Sequence, residues 1–223
     1  MNERDARDEI CRVGKSLFDR GYVHGTAGNI SVRLDGDAGL LITPTDACLG
    51  FLEASQLALV DAQGTQVSGD RASKTLPVHS RIYAAAEAFD ERTCCIIHTH
   101  SAHCVALSLR RQLGAELLAP ITPYFVMKVG HVPLIPCDRP GSPRVVEAIT
   151  DAILRYGERG TPLRAVMLER LGPNVWHDSP ASAMAVLEEL EETARLVVLS
   201  SGEPQPLSDS RIDELRRAFG ARW

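Results

Sequence analysis

The run Cys94-Cys95-Ile96-Ile97, closing on His98-Thr99-His100, constrains the fold of this chain more than any other segment. Apolar residues that do not alternate with polar ones describe a strand covered on both faces, and such a strand requires a sheet with packed layers above and below it. Side chains of an extended segment repeat with a period of two, so His98 and His100 are expected on one side of the chain. Ligand sites of α/β sheets lie at strand ends, where this pair falls. Two neutral imidazoles there suit a divalent cation, zinc above others for nitrogen ligands. They equally suit a plainer role, in which both rings cap the sheet and hydrogen-bond nearby backbone.

The flanking pattern supplies the layers. Apolar positions from Ala6 through Ile10, Val13 and Leu17 make one stripe of a helix that stops at Gly21. Residues 29–34 and 40–43, on either side of Asp35-Gly36-Asp37, and residues 57–61 and 65–68, around Gly64, predict short antiparallel strands. An Ala-rich helix over 76–88 precedes the histidine strand, and a helix over 101–109 follows it directly. Further strands are expected at 132–135 and 165–168 and a helix at 145–156. Ser179-Pro180 is an N-cap and first-turn pair for a long helix toward Ser200, after which residues 201–206 link to a terminal helix capped by Ser208. Helices between mixed strands predict one layered α/β domain over residues 1–223.

Composition narrows the partners. The net charge of −5 and the lack of a dense Lys/Arg block argue against a nucleic-acid surface. No segment approaches the roughly 20 apolar residues that span a membrane, and Met1-Asn2-Glu3-Arg4-Asp5 is not a secretory signal. The six cysteines include no C-x-x-C, which fits reduced thiols in the cytoplasm. A small-molecule partner is expected.

Three polar segments suit an anion. In Gly25-Thr26-Ala27-Gly28-Asn29-Ile30-Ser31 the glycines let backbone N–H groups approach a ligand while Thr, Asn and Ser supply short polar side chains. Thr43-Pro44-Thr45-Asp46 and Ser73-Lys74-Thr75 can converge on it, Lys74 bringing positive charge. Each segment taken singly also reads as an ordinary satisfied turn.

Together with Ile42-Thr43-Pro44-Thr45 and His98-Thr99-His100-Ser101-Ala102-His103, in this order and spacing, the glycine segment resembles the class II aldolase/adducin family, which includes metal-dependent fuculose 1-phosphate aldolases and ribulose 5-phosphate 4-epimerases. Leu49-Gly50-Phe51-Leu52, Thr122-Pro123-Tyr124, Met127-Lys128 and Glu189-Leu190-Glu191-Glu192-Thr193-Ala194 look more like its 3-oxo-tetronate 4-phosphate decarboxylase branch. The resemblance runs from about residue 6 to about 215. It implies a three-layer α/β/α domain with a mixed, largely antiparallel central sheet, and a homotetramer with active sites between subunits. It further implies a phosphate pocket at Gly28, Asn29, Thr45, Asp46, Ser73 and Lys74, a divalent metal on His98 and His100, and Tyr124 reaching a neighbour's site as an acid.

Two positions depart from that pattern. The family places an acid/base Glu four residues before the histidine that is His79 here, and this chain has Thr75; its third metal-binding His precedes the glycine that is Gly172 here, and this chain has Leu171. A hydroxyl is no base near neutral pH, and leucine binds no metal, so a weakly held ion is expected, with His79 or Glu169 as candidate third ligands. A β-keto acid loses CO2 to give an enolate directly, whereas an aldolase condensation must first remove a proton from carbon. A metal-dependent lyase that decarboxylates a phosphorylated sugar acid therefore tolerates Thr75 best, with sugar-phosphate aldolase or epimerase chemistry as an alternative. The rival from another class is a non-catalytic member that keeps the oligomer and the sugar-phosphate pocket.

Overall fold

The computed structural model of the chain describes residues 1–36, 38–110, 114–139, 142–200 and 204–223. Among them eight strands form one sheet: β1 (Asn29–Arg33), β2 (Leu40–Ile42), β3 (Ala58–Val60), β4 (Gln66–Ser68), β5 (Cys95–His98), β6 (Leu134–Ile135), β7 (Ala165–Leu168) and β8 (Gly172–His177), in the order β4-β3-β2-β1-β5-β8-β7-β6. The β6–β7 pair is parallel and the other neighbours are antiparallel, giving the mixed, largely antiparallel sheet expected. The α-helices are α1 (Glu3–Asp19), α2 (Leu76–Ala86), α3 (Ala102–Ser108), α4 (Pro143–Glu158), α5 (Pro180–Leu199) and α6 (Asp209–Phe219).

The apolar run behaves as its composition requires, and all of β5 is buried. Cys95 and Ile97 enter one core with Ile30, Val32 and Val175, closed by Ile10, Val13 and Leu17 of α1 and Leu187, Leu190 and Ala194 of α5. Ile96 enters the opposite core with Trp176, closed by Ile82 and Tyr83 of α2 and Ile149 and Ile153 of α4. Each fully buried aliphatic side chain stabilises by about 1.5–3 kcal/mol relative to exposure, and period-two alternation delivers these to both faces. The result is three layers, α/β/α. No helix among the described residues is long and apolar enough to cross a membrane.

Several boundaries differ from expectation. Strand β5 stops at His98, and Thr99 N still donates to Pro173 O of β8 at 3.3 Å beyond it. Strand β6 keeps only two residues of 132–135. Ser208 is the N-cap of α6, but its hydroxyl meets Ser210 Oγ and no backbone N–H. Asp37 of the first turn and residues 201–203 of the linker lie outside the described residues.

The element missing from the pattern is β8, a central strand between β5 and β7. It opens on Gly172, Pro173 and Asn174, residue types that strands disfavour. Pro173 has no N–H, yet its carbonyl accepts from Thr99 N at 3.3 Å and from His98 Nδ1 at 2.9 Å. At Gly172 (φ 143°) a Cβ would lie 1.9 Å from the Thr99 carbonyl oxygen, so only glycine lets β8 pass the histidine segment.

Candidate active site

Strand register places Asn29 of β1 and Asn174 of β8 on either side of His98. Directly paired residues share a face, so these three form a row toward α2. All are buried, and the Asn29 Oδ1 and Asn174 Nδ2 atoms have no hydrogen-bond partner. Such an orphaned group costs about 1–3 kcal/mol, which makes the row an unusual thing to leave in an interior. His98 Nδ1–H donates to the Pro173 carbonyl, which leaves the lone pair on Nε2. Burial, then the neighbouring His100, lowers the His98 pKa to about 4, and burial, then His24, lowers that of His100. Both rings are neutral at pH 7.

The ring centroids of His98 and His100 lie 5.1 Å apart at an interplanar angle of 69°. Two imidazoles sharing one tetrahedral ion at ordinary metal–nitrogen lengths have ring centres about 5 Å apart. The pair thus fits two positions of a divalent cation. Among the described residues no group of three or more His, Cys, Asp or Glu is placed to hold a metal. Thr75 and Leu171 both line the cavity that His98 borders.

Neither candidate third ligand completes it. The Glu169 carboxylate accepts from Cys137 N at 2.9 Å and lies 3.5 Å from Arg170 Nε. His79 is fully buried. The Tyr83 hydroxyl donates toward the carbonyls of Ser31 and Cys94, so Ser31 Oγ donates to Tyr83 and accepts from His79 Nδ1–H at 2.7 Å. That assignment leaves an unpartnered lone pair on His79 Nε2. Burial, then His98, lowers this group to about 3. His103, His131 and His177 pair instead with Glu191, Glu116 and Asp178. His24, which the sequence pattern did not single out, is exposed with its ring 6.4 Å from that of His100; its place directly before Gly25 was the available signal.

The three polar segments do converge. Thr43 N donates to Ile30 O and Ile30 N to Thr43 Oγ1, at 3.0 and 3.2 Å. Ser73 N donates to Thr43 O at 3.1 Å, Thr45 N to Arg71 O at 2.9 Å, and Lys74 Nζ lies 3.6 Å from Asp46 Oδ1. Gly28, at φ 87°, is pressed against β5: a Cβ there would lie 2.9 Å from the His98 carbonyl oxygen. Glycine therefore brings this loop against the histidine segment itself. Asp46 and Arg170 are the non-glycine residues of positive φ among those described, one in this junction and one in the β7–β8 turn beside Leu171. Such conformations are rare away from turns and functional sites. Tyr124 is 61 % exposed and does not line the cavity at His98.

A neutral imidazole pair at a strand end, with a polar glycine junction alongside it in a three-layer sheet, defines the class. Residues 8–198 match the class II aldolase and adducin N-terminal domain, and the chain belongs to that family. It is 48 % identical over 227 residues to the 3-oxo-tetronate 4-phosphate decarboxylase of Cupriavidus necator, covering 99 % of each protein. To the protein of that name from Escherichia coli K12 it is 38 % identical over 216 residues, covering 96 % of each. The crystal structure of YgbL from Klebsiella pneumoniae superposes with a TM-score of 0.85 at 40 % identity, covering 97 % of this chain and 100 % of that one.

Proposed function

We propose that this chain is a carbon–carbon lyase that decarboxylates a short phosphorylated sugar acid, a 3-oxo-tetronate 4-phosphate, as one domain over residues 1–223. The observation that carries the reading is the neutral His98–His100 pair set against the Gly28–Asn29 junction. The name of the relative 48 % identical over nearly the whole chain supports the substrate. The phosphate is received by Gly28, Asn29, Thr45, Asp46, Ser73 and Lys74. Lys74 and Asp46 are both well exposed, so their ion pair is weak and Lys74 is free to turn to an anion. A divalent ion, zinc by ligand type, would be held by His98 and His100 and would supply Lewis-acid stabilisation of the developing enolate oxygen. With two protein ligands the site binds it weakly.

Loss of CO2 needs no base, which suits Thr75 where the family resemblance implies Glu. The proton that returns to carbon comes from Tyr124 of a neighbouring subunit in a homotetramer, consistent with its exposure in the single chain. Six unpaired cysteines fit a reducing cytoplasm. The absence of a third ligand among the described residues favours a second reading, a sugar-phosphate-binding protein without catalysis. The test is CO2 release from 3-oxo-tetronate 4-phosphate by the purified chain with added divalent metal. Release above background that is lost in His98→Ala supports the lyase; no release from a protein that sugar phosphates nevertheless stabilise supports the binder.

A further inference from the structure

Beside His98 a cavity of about 190 Å³ runs from Thr75, at the start of α2, to the β7–β8 turn. Its walls are mostly apolar, with Val78, Val145, Leu168 and Leu171 among them. Two buried polar side chains interrupt them, His98 and Asn174; Asn174 is 2 % exposed, its Nδ2 is closed off without a partner, and no hydrogen bond ties its amide among the described residues, so rotation about χ2 can turn the N–H groups into the cavity. Of the charged groups of the lining, Glu169 is engaged by Cys137 N and by Arg170, and Asp138 accepts from Ser142 Oγ and from the backbone N–H of Arg139. Away from the end where His98 would help to hold the ion, such a site offers the Asn174 amide as a donor between apolar walls that disfavour an unpaired negative charge.

We infer that this cavity is the acid subsite: it receives the substrate carboxylate on the Asn174 amide and releases it as CO2 along the Leu171 wall. The inference rests on the lyase reading above and adds the residues that choose the acid. In the step, the bond from the carboxylate carbon to C2 breaks and its electron pair forms the C2–C3 double bond. The C3 carbonyl oxygen takes the negative charge, and the carboxylate leaves as neutral CO2. A proton from Tyr124 or water later returns to C2. Apolar walls favour the direction in which charge leaves this end of the substrate, and the single donor at Asn174 fixes its orientation. Leu171 then has a role of its own, as the surface along which an uncharged product departs.

The test compares two unreactive probes by calorimetry, with and without divalent metal: a tetronate 4-phosphate, whose C3 hydroxyl prevents decarboxylation, and the matching tetritol 4-phosphate, with CH2OH in place of the carboxylate. The wild-type chain is expected to prefer the acid by about tenfold, the worth of one charge-assisted hydrogen bond. Asn174→Leu should abolish that preference and leave tetritol 4-phosphate binding unchanged. Asn174→Asp, which keeps the shape and adds a like charge, should reverse the preference and serves if the leucine variant fails to fold. Equal wild-type affinities, or an undiminished preference in both variants, overturn the acid subsite while the phosphate site stands. Failure of both probes to bind the wild-type chain overturns the subsite and the lyase reading together.

Discussion

Glu191 of α5 is the side chain whose removal should most clearly separate local stabilisation from site chemistry. Its carboxylate accepts from His103 N at 2.9 Å, Cys104 N at 3.0 Å and His103 Nδ1 at 2.8 Å, and so caps the N-terminus of α3 immediately after His100. The helix has no cap of its own, because Ser101 makes no side-chain capping bond. Hydrogen bonds to a charged acceptor contribute about 1.5–3 kcal/mol each, and a buried donor left alone costs about 1–3 kcal/mol. Competition among three donors for two oxygens keeps the total below their sum, so Glu191→Ala should cost about 3–4 kcal/mol and Glu191→Gln, which keeps one acceptor, about 2 kcal/mol. The assay is equilibrium urea unfolding at fixed protein concentration. With a slope of about 2–3 kcal/mol per molar, the alanine midpoint falls by about 1–2 M. A midpoint in Glu191→Ala indistinguishable from wild type would falsify the cap and with it the explanation of how the segment after His100 is held.

Three further outcomes follow from the same geometry. His79 is held neutral in the fold at a pKa of about 3 against about 6.5 in an unfolded chain, so its contribution is complete above pH 6.5 and declines as pH falls toward 3; acid unfolding should be less steep for His79→Asn, by up to roughly 5 kcal/mol over that window, and identical pH profiles would refute the assignment. Gly172→Ala should cost more than about 3 kcal/mol, because the new Cβ meets the Thr99 carbonyl 1.9 Å away; a thermal midpoint equal to wild type would contradict that packing. Thr75→Glu with Leu171→His should tighten divalent metal binding by at least about tenfold as the ligand set is completed, and unchanged affinity in equilibrium dialysis would show that these positions do not face the ion.

What the chain disclosed of itself depended on how local each signal was. The β5 run was legible because continuous burial leaves an unmistakable apolar stretch, and α1, α4 and α5 because their stripes and caps are written in neighbouring residues. Strand β8 was not legible: Gly172, Pro173 and Asn174 argue against a strand individually, and each is explained only by the histidine segment beside it. The same holds at the site. His98 and His100 stand out by spacing, while Asn174 gains its meaning from a register with His98 that no local pattern records. Segments 25–31, 43–46 and 73–75 each read singly as an ordinary turn and gain weight only in combination, and hydrogen bonds through Thr43 join them.

Two neutral imidazoles holding one cation next to an anion-binding junction are the centre of the proposed chemistry. Equilibrium dialysis of the wild-type chain and of His98→Ala/His100→Ala against a divalent metal, each with and without a tetritol 4-phosphate, measures this directly. The wild-type chain should take up about one weakly held ion per chain, more tightly when the phosphate ligand is present, since its oxygens can fill the open coordination positions. The double variant should take up none. Metal binding that survives the double change, or that the phosphate ligand leaves unaltered, would contradict the account.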